Sequence, residues 1–429
     1  MKRFQQYTRF KPEIKMKYVY YYDTMPNSDV HARFPNMTLK EQAQKVAEIN
    51  DVNFKLFLTP EQIRQKIDLS AEGNSFVRLL ERDNGEKTFL RVFNDIEVLP
   101  KETEISAAFK RLVMKLPKVG FLVGHGERDN KKTGERDYNT FAQQRNFRYA
   151  LINQGFDITD VTLTKEIPED VTIVLVAEMR SPLSLMEQEN LDKYVARGGN
   201  LVIVGEPRRQ EVMNPVVERF GVRFTDGYLV RPTENFQADL IFSRTTKRAV
   251  EMSYPFEDMY RFRQVVAMQG CVGLEYKTDR GYTVDRWFET DTLAWNELET
   301  TNFVDDTVKL NPKIGEVQKS YATGLALSRK VGEKNQKILI LGDADCISNG
   351  EFGRSRREVQ AANYTVITGG FYWLSDGEVP IDVRRPPIPD KEIYLDKDDM
   401  KIVKIMFMGV LPGLLLLLAL FIWIRRRGK

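Results

Sequence analysis

The sequence predicts an α/β protein: a doubly wound, mostly parallel sheet with an additional N-terminal α+β unit, a β-rich insertion and one C-terminal transmembrane helix. Three observations carry that expectation. From Lys118 onward, apolar strand-like runs alternate with helical periodicity through four cycles, the pattern of a sheet covered by helices. One of these runs, Val171-Thr172-Ile173-Val174-Leu175-Val176-Ala177, is apolar almost without interruption, as a strand buried on both faces requires. Finally, Ile405 to Ile424 carries no charge over about 20 residues, enough at roughly 1.5 Å per residue to cross a hydrocarbon core about 30 Å thick.

Residues 1–117 read as the α+β unit. An aromatic, alternating stretch from Ile14 to Asp23 suggests a strand, with a short helix before it near Phe4 to Tyr7. The stripe Ala43, Val46, Ile49 marks a helix from Leu39 to Asn50, and Pro60 suits the first turn of a helix running to Ile67. Asp83-Asn84-Gly85 then joins strands over 76–80 and 88–92 into a hairpin.

Residues 118–222 form the first part of the α/β domain. Its elements are a strand ending at Gly124-His125-Gly126-Glu127-Arg128, a helix from Asn139 to Gln154, a strand from Asp157 to Leu163 and the Val171–Ala177 strand. A helix follows with Ser184 as N-cap and Glu187 at the capping-box position, closed by Gly198-Gly199. A strand from Asn200 to Gly205 then leads through Glu206-Pro207-Arg208-Arg209 into a helix around Met213 to Phe220. Residues 223–323 are short, aromatic and punctuated by turns, which suits a β-rich insertion. Residues 324–378 return to the α/β domain with a strand ending at Gly342-Asp343-Ala344-Asp345 and a helix from Glu358 to Trp373. A proline-bearing linker over 379–401, the spanning helix over 402–424 and a basic tail over 425–429 complete the chain.

Composition narrows the function classes. Lys and Arg number 64 against 61 Asp and Glu, a net charge of +3 in 429 residues, so net charge implies no nucleic-acid partner. Two cysteines, Cys271 and Cys346, allow at most one disulfide and no cysteine-built zinc site. No segment follows G-x-x-x-x-G-K-[ST], so no P-loop nucleotide cofactor is expected, and no other cofactor is indicated. The candidate ligand-binding residues sit at strand ends, where open α/β sheets place their sites: His125, Glu127 and Arg128 on one loop, Glu206 on a second, Asp343 and Asp345 on a third. The two aspartates can reach one hard cation or cap a following helix. Against these readings, the glycines of the first loop serve equally for a tight turn whose charged residues pair with neighbours. Gly270-Cys271-Val272-Gly273 departs from the spacing of a nucleophile turn, and His31 and His125 are the only histidines, which leaves no complete catalytic set in view.

Arg425-Arg426-Arg427-Gly428-Lys429 is purely basic, whereas the other flank of the span mixes Asp390, Glu392, Asp396, Asp398 and Asp399 with lysines, which places the C-terminus in the cytoplasm and the bulk outside. Met1 to Lys17 holds no apolar segment to carry that bulk across. The expectation is a longer native form with an upstream span; the alternative is a tail-anchored chain of inverted topology.

The order of the pieces resembles the GldG family, auxiliary components of ABC-type transporters first associated with gliding motility. The resemblance rests on Gly120-Phe121-Leu122-Val123-Gly124-His125-Gly126-Glu127, on Leu191-Asp192-Lys193-Tyr194-Val195-Ala196-Arg197-Gly198-Gly199-Asn200-Leu201, on Gly342 to Asp345 and on the closing span, covering about Ile14 to Lys429. It implies a glutamine-amidotransferase-like domain in the periplasm and an N-terminal span that this chain does not display. It also implies a non-catalytic auxiliary subunit of an ABC-2-type exporter in the bacterial inner membrane, in contact with membrane lipid, an ABC permease and a separate ABC ATPase. The alternative is a membrane-tethered glycan-binding module or hydrolase that uses the Gly124–Arg128 loop.

Overall fold

The computed structural model describes residues 7–9, 11–25, 29–75, 77–356, 358–385 and 396–427, in two units, Met1–Asp382 and Val383–Lys429. The helix expected near Phe4, part of the proline-bearing linker and the last two residues of the basic tail lie outside the described residues.

A central sheet organises the first unit. Its main path contains β1 (Lys118–Leu122), β2 (Asp157–Val161), β3 (Val171–Ala177), β4 (Asn200–Val204), β5 (Leu240–Thr245), β6 (Val265–Gln269), β7 (Thr283–Glu289), β8 (Ala322–Val331) and β9 (Lys334–Leu341). The strand order is β6-β5-β7-β8-β9-β4-β3-β1-β2. The run β9-β4-β3-β1-β2 is parallel throughout. From β9 the sheet continues antiparallel through β8, β7, β5 and β6. The β-rich stretch is therefore not a separate layer. Most of its strands extend the α/β sheet, because the short connection between β8 and β9 folds the chain back as a hairpin and offers β8 as a new edge. A two-stranded ribbon, Tyr228–Val230 with Trp295–Glu297, stands apart over its own small core of Val230, Ala238 and Trp295.

Alternation along the strands explains why helices cover both faces. In β3, Ile173, Leu175 and Ala177 enter one core with α3 (Tyr364–Leu374), whereas Val174 and Val176 enter the other with α1 (Leu185–Ala196) and α2 (Gln210–Val217). β4 and the carboxyl half of β9, Ile338 to Leu341, divide in the same way, so these segments are apolar at nearly every position. The α1 capping box forms as the sequence indicates: Ser184 Oγ accepts from Glu187 N, and Glu187 reaches back to Ser184 N at 2.9 Å.

Three elements depart from the sequence reading. The helix expected over Asn139 to Gln154 is two short pieces, Asn139–Gln143 and Leu151–Gln154. Between them, Asn153 Nδ2 donates to the Arg145 and Phe147 carbonyls, and the buried Arg148 turns inward to Glu104 and Asp95, contacts that a continuous helix would break. The C-terminal helix of the α/β region begins at Tyr364 rather than Glu358, because Asn363 spends its side chain on Ala267 N, Ala267 O and Cys346 O. The aromatic stretch from Ile14 to Asp23 holds only a two-residue strand, Tyr20–Tyr21, parallel to Phe57–Leu58, and Tyr18 and Tyr20 remain exposed.

The helices Leu39–Ile49 and Pro60–Lys66 and the hairpin Arg78–Glu81/Lys87–Leu90 follow the sequence reading. The N-terminal part is tied to the α/β region by ions as well as apolar contact: the fully buried pair Arg148–Glu104 meets at 2.7 Å, and Arg91 donates to both Glu72 and Asn153.

In the second unit, Lys397–Ile405 and Leu411–Arg427 are α-helical around a π-helical turn, Met406–Val410. The helical run from Asp398 to Arg427 is long and apolar enough to cross a membrane, with its leucines exposed throughout, and Arg427 stacks over Trp423 at 4.1 Å.

A Cβ added to Gly342 would stand 2.1 Å from the Val272 carbonyl oxygen, a backbone atom that cannot swing away. Gly342→Ala is expected to destabilise the protein by about 3 kcal/mol, read as a lower urea midpoint at unchanged slope.

Candidate functional site

Parallel strand order places the site. The chain runs from β1 to β2 on one side and then returns to β3 on the other, so the sheet's direction of growth reverses between β1 and β3. Crevices at the carboxyl ends of such strands are the usual ligand positions, because the connections diverge there to opposite faces. Four strand ends converge on this crevice: the loops after β1, β3, β4 and β9.

Arg128, from the loop after β1, occupies the centre with its side chain only 3% exposed. Its Nε donates to Glu178 at 2.9 Å, Nη2 donates to Glu206, and Nη1 donates to Asp345 and to the Arg136 carbonyl oxygen. Glu178 directly follows β3, is buried, and holds a left-handed backbone with φ of 47°, an uncommon conformation for a side chain of this kind. It also accepts from Arg136 at 2.9 Å and from Arg209 at 3.3 Å. The Tyr138 hydroxyl donates to Ala344 O, and its ring lies 5.8 Å from the Arg128 guanidinium. Burial alone works against the Arg128 charge, but its surroundings, including Glu206, Asp345 and Glu178, more than offset that and hold its pKa above the ordinary value.

Asp343 is completely buried. Its Oδ1 accepts from Asp345 N, closing the turn into the short 3-10 helix Asp345–Ile347, while its Oδ2 has no hydrogen-bond partner among the described residues. Burial, reinforced by Glu206 and Asp345, pushes the Asp343 pKa well up, and burial pushes Glu206 up to about 8 despite the opposing charge of Arg128. One carboxylate oxygen from each of Glu206, Asp343 and Asp345 lies within 4.8 Å of the others, a spacing that one hard cation can bridge.

The structure thus joins Arg128, Glu206, Asp343 and Asp345, residues from three loops that the sequence could not place together. His125 and Glu127 form an adjoining node. Glu127 accepts from His125 N at 2.7 Å and faces Nδ1 at 3.1 Å, and Glu187 of α1 faces Nε2 at 3.2 Å. Gly124 and Gly126 both have positive φ, which lets this loop fold back so that His125 O receives Arg180 N. Sequence reasoning missed Glu178, Arg136 and Glu187 as members of the site, and noted Arg209 beside Glu206 at a strand end without counting it among the ligand-binding residues. Glu178 carried a usable signal, since it stands just past the end of an apolar strand.

The thiols are not placed for nucleophilic work. Cys271 and Cys346 are buried, burial pushes both pKa values well up, and their Sγ atoms donate to the Val272 and Asp343 carbonyls. A wider groove of about 470 Å³ lies elsewhere in the first unit, lined in part by Glu72, Arg91, Lys131, Gln143 and Arg145.

Over residues 116–367, more than half its length, the chain matches the family described as "ABC-type uncharacterized transport system", and it belongs to that family of transporter auxiliary components. No curated protein matches the sequence. Among solved structures, the N-terminal domain of mmIFT52 is similar at 15% identity and a TM-score of 0.40, covering 61% of this chain and 98% of that one. A ThuA-like protein from Bacteroides uniformis is similar at 12% identity and a TM-score of 0.36, covering 61% and 93%.

Removing Arg128 leaves buried carboxylates without their counter-charge, so Arg128→Met is expected to cost about 3–5 kcal/mol, and Arg128→Lys to restore little because an ammonium cannot serve three loops at once. Glu206 holds its proton more tightly folded than unfolded, so in metal-free buffer stability should fall as pH rises from the ordinary carboxylate range towards about 8. Thermal midpoints of the wild type and Glu206→Gln across that range test this; the variant should flatten the slope.

Proposed function

We propose that this chain is a non-catalytic auxiliary subunit of a bacterial ABC-2-type exporter, of the GldG kind. In this reading a glutamine-amidotransferase-like periplasmic domain contacts substrate or partner proteins, while a separate ATPase supplies energy to the permease. The observation that carries the reading is the state of the strand-end crevice. In an α/β enzyme that position would present reactive groups to a substrate, whereas here its central cation is buried and committed to three carboxylates, and the nearby histidine is held between two more. A site so occupied holds loops in place and leaves the outer surface, including the polar groove beside Arg91 and Arg145, for docking. Membership of the transporter family supports the same reading, as does the strand order β2-β1-β3-β4-β9, which is that of a doubly wound domain.

The proposal places the C-terminal helix in the inner membrane against permease helices, with Arg425 to Arg427 on the cytoplasmic side. Affinity purification of the native protein from mildly solubilised membranes should recover an ABC ATPase and a polytopic permease. Recovery of the chain alone would refute the assignment. For orientation, the Arg427→Cys variant should react with a membrane-impermeant maleimide only after the cells are opened, since both native cysteines are buried. Labelling in intact cells would invert the topology.

A further inference from the structure

We propose that Glu206, Asp343 and Asp345 form a site for one hard divalent cation of the calcium or magnesium class, which clamps the loop after β4 to the loop after β9. Three observations lead there. One oxygen from each carboxylate lies within 4.8 Å of the others, and calcium or magnesium bonds of about 2.0–2.6 Å hold opposite ligand oxygens about 4–5 Å apart. Asp343 is wholly buried, yet its Oδ2 has no hydrogen-bond donor among the described residues, an expense that folded proteins seldom tolerate without a partner for the atom. The cations nearby are also directed away from Asp343. Arg136 reaches Glu178 at 2.9 Å and one oxygen each of Glu206 and Asp345 at 3.9 Å, Arg209 reaches Glu178, and among the described residues no cationic side chain pairs with Asp343.

Arg128 does not already fill the proposed position. Its nitrogens take one oxygen of Glu206 and one of Asp345, and no bond runs from it to Asp343. The donor chemistry selects the ion class. The two thiols near Asp343 donate hydrogen bonds to backbone carbonyls, so only carboxylate oxygens are offered, and these suit calcium or magnesium better than a thiophilic metal. Asp345, about one-third exposed, provides the way in from solvent. This inference does not rest on a transport role, because an ion here would fasten the α/β domain whatever the domain docks against.

The test uses the full-length chain in detergent, stripped with chelator and then dialysed against calcium or magnesium chloride. The expected result is one retained ion per chain and a rise in thermal midpoint of several degrees. Asp343→Asn, which keeps the Oδ1 acceptor for Asp345 N, should weaken binding at least about tenfold, as should the partly exposed Asp345→Asn. Bound terbium should luminesce on excitation of the neighbouring Tyr138 and lose that signal in both variants. The proposal is overturned if neither ion is retained or shifts the midpoint at millimolar concentration. It is equally overturned if both variants bind like the wild type, or if Asp343→Asn stabilises the protein without any ion, which would make a shared proton the partner of Asp343. Because the readouts concern the isolated chain, they are distinct from co-purification with transporter subunits.

Discussion

One buried guanidinium holds together the carboxyl end of the parallel sheet. Arg128 belongs to the loop after β1, yet its bonds end on Glu178 after β3, Glu206 after β4 and Asp345 after β9. The planar, forked guanidinium presents donors in several directions from one rigid group, so a single side chain can serve three partners that a point charge could not. A charge in so dry a place is tolerable only with its partners in position. The surrounding backbone is shaped accordingly, down to the left-handed conformation of Glu178 and the glycines of the first loop.

This arrangement changes what the crevice can do. Strand ends at a switch point commonly present loose, reactive groups to a ligand, and here the strongest charges face one another. Asp343 stands outside this pairing, as the most deeply buried acid of the cluster and one whose second oxygen has no donor among the described residues. Arg128 ties three loops together on one side of the crevice, and on the other an acid keeps one oxygen outside the network.

The N-terminal α+β part is joined to the α/β region by a second buried ion pair, Arg148–Glu104, and by Arg91 with Glu72 and Asn153. These contacts also explain the broken helix between Asn139 and Gln154. Local periodicity favoured one helix, but the energy of satisfying Arg148 and the Asn153 amide outweighs the few hydrogen bonds that continuity would add. The sheet's antiparallel half has a similar origin. The turn-rich pattern of residues 223–323 indicates short strands, and which edge they join depends on β8 being left available by its hairpin with β9.

Much was settled locally. The apolar run from Ile405 to Ile424, the doubly buried strands β3 and β4, the Ser184–Glu187 capping box and the strand-end positions of Arg128, Glu206, Asp343 and Asp345 are all legible along the chain, because hydrophobic period and cap chemistry act over a few residues. Tertiary structure alone decided that those four residues meet, that Glu178, Arg136 and Arg209 join them, and that His125 is held between Glu127 and Glu187 instead. The physical reason is sequence separation: Arg128 and Asp345 stand 217 residues apart, and only the order of strands in the sheet brings their charges into the same dry space.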